Sequence, residues 1–218
     1  MEQSVVSVDV VTLRYGPDDS ALTVGVAPRA HEPFTGELAL PGVLLGRGER
    51  LVSAARRAVH TKLGVPEAAI GAVGQLVTFD EPARDPRGPT LSIAMWAVVG
   101  EHDGDLARWV GFDEVPALAF DHNRIVEAAR GHLARLLWKD VTFTRALTGD
   151  AFPATRAVEL SAALHGARPD PANLNRTLAT IPGLARTAER RRTKATGRPA
   201  AVWAFGDEPD ALTSAART

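Results

Sequence analysis

The chain opens on valines at positions 5, 6, 8, 10 and 11, interleaved with Ser7, Asp9 and Thr12. β-branched residues at this density predict a strand. A second strand, Ala21-Leu22-Thr23-Val24-Gly25-Val26-Ala27, follows across Gly16-Pro17-Asp18-Asp19, a turn composition. After Pro41-Gly42, apolar residues stand at Leu51, Ala54, Ala55, Ala58, Val59 and Leu63. That is the i, i+3, i+4 spacing of an amphipathic helix, which Gly64 can end. Residues 74–80 and 91–100 are the next strands, and the second is so continuously apolar that it belongs in the middle of a sheet. Residues 121–138 carry Ile125, Ala128, Ala129, Leu133, Leu136 and Leu137 at helical spacing and lead into the punctuation Gly149-Asp150-Ala151-Phe152-Pro153. The pattern predicts a mixed α/β body that ends near residue 145.

Beyond it, residues 155–164 and 171–181 are two short helices, the second with Asp170 as N-cap and Pro171 at its first position. Pro182-Gly183 closes it. Residues 184–188 and 200–205 then read as two strands around a basic loop, and residues 207–218 as a frayed end. Helix, helix, β-ribbon is the pattern of this tail.

Composition is that of an ordinary globular protein, 218 residues with 45% hydrophobic ones. The absence of cysteine excludes disulfides, thiolate metal sites and a cysteine nucleophile. No apolar run approaches the roughly 20 residues of a membrane span, and no basic region plus apolar block opens the chain, so a cytoplasmic protein with no membrane role is expected. The net charge of -1 argues against a nucleic-acid partner only until it is divided. From position 151 onward there are ten basic and six acidic residues, which leaves an acidic remainder of fifteen against twenty.

Candidate chemistry begins at Pro41-Gly42-Val43-Leu44-Leu45-Gly46-Arg47-Gly48-Glu49, followed by Arg57, Val59, Gly64 and Val65. This stretch resembles a decayed Nudix box, G-x5-E-x7-R-E-U-x-E-E-x-G-U. Glu49, Arg57, Val59, Gly64 and Val65 keep the pattern, whereas Val43, Ala58, Thr61 and Lys62 depart from it. In the box, carboxylates at i, i+3 and i+4 share one helix face and hold Mg²⁺ against a diphosphate. Here that face carries Ala58, Thr61 and Lys62, so the resemblance implies a site with no metal and no catalytic residue, in which Lys62 could meet the diphosphate directly. Glu49 and Arg57 are open to two readings, an ion pair bracing the loop–helix turn or a ligand contact.

The resemblance continues on either side. Residues 29–42, from Arg29 through Glu37 to Gly42, are similar to the strand-loop entering the box in Nudix proteins that handle ADP-ribose, and residues 78–88, with Asp85-Pro86-Arg87-Gly88, are similar to the D-P-R-G loop of the same group. Arg29, Glu37, Arg47, Glu49, Arg57, Lys62, Arg84, Asp85 and Arg87 are therefore the expected effector contacts, the guanidinium forks of Arg29, Arg84 and Arg87 suiting phosphate. His122 and His165 read as helix-start and turn residues, Trp138 and Trp203 as packing.

A Nudix-like body before a basic helical tail resembles the Nudix-related transcriptional regulators of NAD metabolism, the NrtR type. It implies an α/β/α sandwich with a mixed sheet over residues 1–145 and a winged helix-turn-helix over 146–218. The tail's residues fit that reading. Asn173, Asn175 and Arg176 can read base edges, and Arg190, Arg191, Arg192, Lys194 and Arg198 can neutralise phosphates. Helix capping for the asparagines and a solvated loop for the arginines are the alternatives. The expectation is a DNA-binding regulator, a repressor acting as a homodimer on double-stranded operator DNA. Its body binds ADP-ribose or a related nucleotide without cleaving it and needs no cofactor. The alternatives are a Mg²⁺-dependent hydrolase of ADP-ribose-like substrates using acids outside the box (Glu37, Asp80, Glu81 or Asp85) and a protein-interaction module.

Overall fold

The structure, a computed structural model, describes residues 4–16, 21–192 and 199–206. Lys194 and Arg198 lie outside the described residues, as does the 207–218 end. The spine of the body is β1 (Val5–Tyr15), whose alternation sends Val8 and Val10 to one face and Val11 and Leu13 to the other, all four fully buried. It pairs in parallel with β6 (Thr90–Val99) and antiparallel with β2 (Leu22–Pro28) and β4 (Gly42–Leu44). β5 (Ile70–Phe79) runs antiparallel to β6, while β3 (Leu38–Ala39) and β7 (Arg108–Gly111) pair with β2.

Helices cover both faces of this mixed sheet. α1 (Leu51–Leu63) lies on one, burying Ala54, Ala55, Ala58, Val59 and Leu63 against Val8, Val10, Met95, Ala97 and Val99. Three alanines let the helix approach the strands closely. On the other face α2 (His122–Leu136) brings Ile125, Ala129 and Leu133, and α3 (Val141–Thr148) brings Phe143 and Leu147, onto Val11, Leu13, Trp96 and Val98. A strand covered on both sides has to be apolar at every position, as residues 91–100 are. Gly64 ends α1 in the left-handed region at φ 69°, its N–H donating to the His60 carbonyl at 3.0 Å. A Cβ there would also stand 2.8 Å from the Asp105 nitrogen, so conformation and space both demand glycine.

Several features differ from the sequence reading. α3 is absent from it, although Asp140 caps it by accepting the Phe143 N–H at 2.9 Å and Gly149 stops it at φ 74°. Eight residues are too few for a helical period to stand out, and a boundary drawn at 145 falls inside this helix. β7 and β8 (Ala151–Pro153), of four and three residues, are too short for alternation to register. β5 starts at Ile70, four residues ahead of the predicted 74. Finally, Arg190 and Arg191 belong to a strand, paired with Ala201 and Ala200, and not to the loop beyond it.

In the tail, α4 (Ala154–His165) and α5 (Pro171–Ala179) precede β9 (Leu184–Arg191) and β10 (Ala200–Phe205), with β10 central between β8 and β9. Asp170 caps α5 by accepting the Asn173 N–H at 2.8 Å. Leu160, Leu164, Leu174, Leu178 and Trp203 form its interior, which is continuous with that of the body. At the junction Trp138 stacks on Phe152 and donates Nε1–H to Ser161 Oγ at 2.9 Å, and Tyr15 donates its hydroxyl to Glu159 at 2.7 Å. Among the described residues no helix is long and apolar enough to cross a membrane.

Candidate functional site

The loop after β2, the β4 region, α1, the loop between β5 and β6 and the start of α2 enclose a cavity of about 600 Å³. That volume is typical of small-molecule sites. Of the expected effector contacts, Arg29, Arg57, Lys62, Arg84, Asp85 and Arg87 line it. Glu37, Arg47 and Glu49 do not. The Glu37 carbonyl accepts the Arg29 N–H at 2.9 Å and so shapes the loop, and Arg47 is exposed on the turn before α1.

Glu49 takes the bracing role. Arg57 donates Nε–H and Nη2–H to its two oxygens at 2.9 and 2.7 Å, and the Gly46 N–H donates at 2.8 Å. Those bonds, Arg57 first, hold the Glu49 carboxyl at about 2, against an ordinary value of 4.5. A carboxyl depressed on folding contributes stability that is complete above its ordinary value and lost as pH falls through the folded one. Glu49→Gln is expected to lower the thermal midpoint at neutral pH, the gap from wild type narrowing as pH falls below 4.5 and closing near 2. A gap already closed at 4.5 contradicts the brace.

The forks of two other arginines are occupied within the protein. Arg84 donates to both oxygens of Asp121 at 3.0 and 2.6 Å and stands 3.6 Å from Asp9, with all three side chains at most 10% exposed. Arg87 grips Asp85 at 2.6–3.2 Å, and that contact lowers the Asp85 carboxyl's pKa. Arg29 donates to the Pro33 and His31 carbonyls and lies over the Phe120 ring, 4.5 Å from its centre. Burial and the nearby Arg87 lower its pKa. Lys62, by contrast, is exposed in the cavity wall and makes no hydrogen bond or ion pair among the described residues.

The carboxylate face of a Nudix helix has no equivalent on α1. Ala58 is fully buried beneath the sheet, the Thr61 hydroxyl donates to the Arg57 carbonyl at 2.7 Å, and Lys62 is a cation. No group of three or more His, Cys, Asp and Glu among the described residues is placed to hold a metal ion. This donor set does not fit a hard divalent cation, which needs several oxygen ligands.

The sequence reading missed Asp9, Phe120 and Asp121 and undervalued His122. His122 does start α2, but it is only 3% exposed and forms part of the cavity wall, where its Nδ1 accepts the Leu40 N–H at 3.0 Å. Burial lowers its pKa, so the ring is neutral. The available signal was Asp9, the one charge among nine strand residues from Val5 to Leu13.

On the tail, Asn173, Asn175 and Arg176 are all exposed on α5 while Leu174 and Leu178 anchor the opposite face. Arg176 donates to the Asn173 side chain, and Asn175 donates to the Pro171 carbonyl at 2.8 Å. Arg190, Arg191 and Arg192 are likewise exposed. The structure does not bring these groups near the cavity.

No family model matches the chain. An ADP-ribose pyrophosphatase of Methanocaldococcus jannaschii is 31% identical over 105 residues, and the match covers 45% of this chain and 60% of that protein. The crystal structure of Shewanella oneidensis NrtR superposes with a TM-score of 0.73 at 24% identity, over 92% of this chain and 94% of that one. The same protein has been solved with a 27mer DNA, matching at a TM-score of 0.73 and 23% identity over 92% of this chain and 93% of that one. The NUDIX domain of S. oneidensis NrtR complexed with ADP ribose matches at a TM-score of 0.53 and 26% identity, over 61% of this chain and 90% of that domain. The chain thus has the mixed α/β fold of these proteins throughout, and the resemblance to NrtR extends from body to tail.

Proposed function

We propose that the chain is a DNA-binding transcriptional regulator, a repressor of NAD-metabolism genes. In this reading residues 1–145 form a Nudix-like body that senses ADP-ribose or a related nucleotide without cleaving it, and residues 146–218 form a winged helix-turn-helix. The observation that carries the sensing role is Lys62, a cation without a partner among the described residues, in the wall of a cavity of about 600 Å³ at a position where a hydrolase helix carries a metal-binding carboxylate. A fixed ammonium can neutralise a diphosphate but supplies neither a base nor a metal-bound nucleophile. In the tail, the exposed face of α5 suits a major groove, and the arginines ending β9 suit phosphates flanking it. The reading includes a homodimer, because helix-turn-helix readers bind palindromes in pairs, and a cytoplasmic protein that needs no cofactor. The NrtR structures solved with DNA and with ADP ribose support the two halves of the reading.

A gel shift on the DNA upstream of the neighbouring genes, with and without ADP-ribose, tests it. A shifted band that ADP-ribose releases is expected; a nucleotide-insensitive band, or none, contradicts the regulator. Lys62→Ala is expected to weaken ADP-ribose binding by roughly 10- to 100-fold by calorimetry, the scale of one charge-assisted contact. Unchanged affinity removes Lys62 from the site.

The second reading, a Mg²⁺-dependent pyrophosphohydrolase, is favoured by the 31% identical pyrophosphatase and by Asp9, Glu32 and Asp85 in the cavity wall. AMP released from ADP-ribose and Mg²⁺ at an enzyme-like rate would establish it and end the sensor reading.

A further inference from the structure

Among the buried polar groups of the cavity wall are Asp9 and His122, 6% and 3% exposed. Asp9 lies in the middle of β1, and only one of its carboxylate oxygens is satisfied. Oδ2 accepts from the Ser7 hydroxyl at 3.0 Å and the Ser92 hydroxyl at 2.5 Å. Oδ1 takes no hydrogen bond among the described residues, and its nearest donor-bearing ring, His122, keeps Nε2 at 3.7 Å. That separation is too long for a direct hydrogen bond.

The tautomer of His122 is fixed by the chain. Because the Leu40 N–H donates into Nδ1, that nitrogen must be an acceptor, so the proton of the neutral ring sits on Nε2. A lone acceptor and a lone donor therefore face each other across a gap at the cavity wall. Gly42 packs against Asp9: a Cβ built there would stand 2.2 Å from Oδ1, so glycine makes room for the carboxylate, and the residue has no positive φ that would call for glycine on conformational grounds.

We propose that the Asp9–His122 pair is a recognition slot for a sugar hydroxyl of the bound nucleotide. A hydroxyl oxygen can donate its proton to Asp9 Oδ1 and accept the Nε2–H of His122, satisfying both at once. A phosphate or carboxylate oxygen has no proton for Asp9 and would meet its charge. An apolar group would leave both buried partners unmet, which costs more than the hydrogen bonds themselves contribute. The slot deepens the proposed sensing role and rests on it, since it assigns the part of a nucleotide that carries hydroxyls to the stretch of cavity wall where Asp9 and His122 meet, beside Arg84. It makes the site selective for a ribosylated ligand over a bare diphosphate.

The test is calorimetric titration of the full chain with ADP-ribose, with analogues lacking one ribose hydroxyl at a time, and with inorganic pyrophosphate. On the wild-type protein one deoxy position is expected to lose about tenfold or more in affinity. Asp9→Asn is expected to bind ADP-ribose about tenfold more weakly, to lose the discrimination at that hydroxyl, and to hold pyrophosphate as well as wild type or better. The sign is diagnostic, because removing a negative charge should by itself strengthen an anionic ligand. His122→Asn, whose side-chain oxygen can still accept the Leu40 N–H, is expected to lose the same discrimination. Asp9→Asn binding ADP-ribose as tightly as wild type, or a deoxy series with uniform affinity on the wild-type protein, overturns the slot while the sensor stands; the deoxy series needs no variant to fold. If ADP-ribose does not bind the wild-type chain at all, the sensor reading and the slot fall together.

Discussion

Arg84→Ala is expected to lower the unfolding free energy by about 3–5 kcal/mol, the range for removing one partner of a buried ion pair. The reason is the neighbourhood left behind. Asp121 loses both guanidinium bonds, Asp9 loses the cation at 3.6 Å, and neither carboxylate is more than 10% exposed. Chemical denaturation of the variant and the wild type checks the statement. A loss under about 1 kcal/mol would show that water reaches these carboxylates and that the cavity wall is softer than its burial implies.

Phe143→Ala should cost about as much, roughly 3–5 kcal/mol, for a different reason. Its ring is fully buried and meets Trp96 edge-on with centroids 4.9 Å apart, so truncation removes transfer free energy, opens a void and loses an aromatic contact. Phe143→Leu, which keeps most of the volume, should lose far less. The pair of variants decides whether α3 is part of the core or a connector. A connector would tolerate the alanine with a loss under about 1 kcal/mol and an unchanged denaturation midpoint.

α3 also marks where the sequence stops being legible. Its cap and its stop are plainly written in Asp140 and Gly149, yet an eight-residue helix between a long helix and a Gly/Pro cluster offers too little period to separate it from a linker. α1 and the central strand β6 behave otherwise and match their predicted extents within a residue, because burial imposes its pattern along their whole length, whereas the half-exposed β5 departs from its predicted start. The exposed asparagines of α5 illustrate a further limit. Their spacing placed them on a short capped helix, but whether their amides reach outward or bond within the helix depends on rotamers, and Asn175 bonds back to the Pro171 carbonyl.

The sequence by itself determined the order of the main elements, the presence of Ala58, Thr61 and Lys62 where a Nudix box carries carboxylates, and the division of a near-zero net charge into an acidic body and a basic tail. Each is a property of residue identity and local period. Only the tertiary structure decided which cations are available to a ligand. Arg29, Arg84 and Arg87 looked equivalent as a sequence, yet folding gives Arg84 to Asp121, Arg87 to Asp85 and Arg29 to a carbonyl pair and an aromatic ring, and leaves Lys62 unpaired among the described residues. It likewise brought Asp9 from the first strand to His122 from the second long helix. The pairing of a charge is a matter of distance in space, and no local period encodes a contact between residues so far apart along the chain.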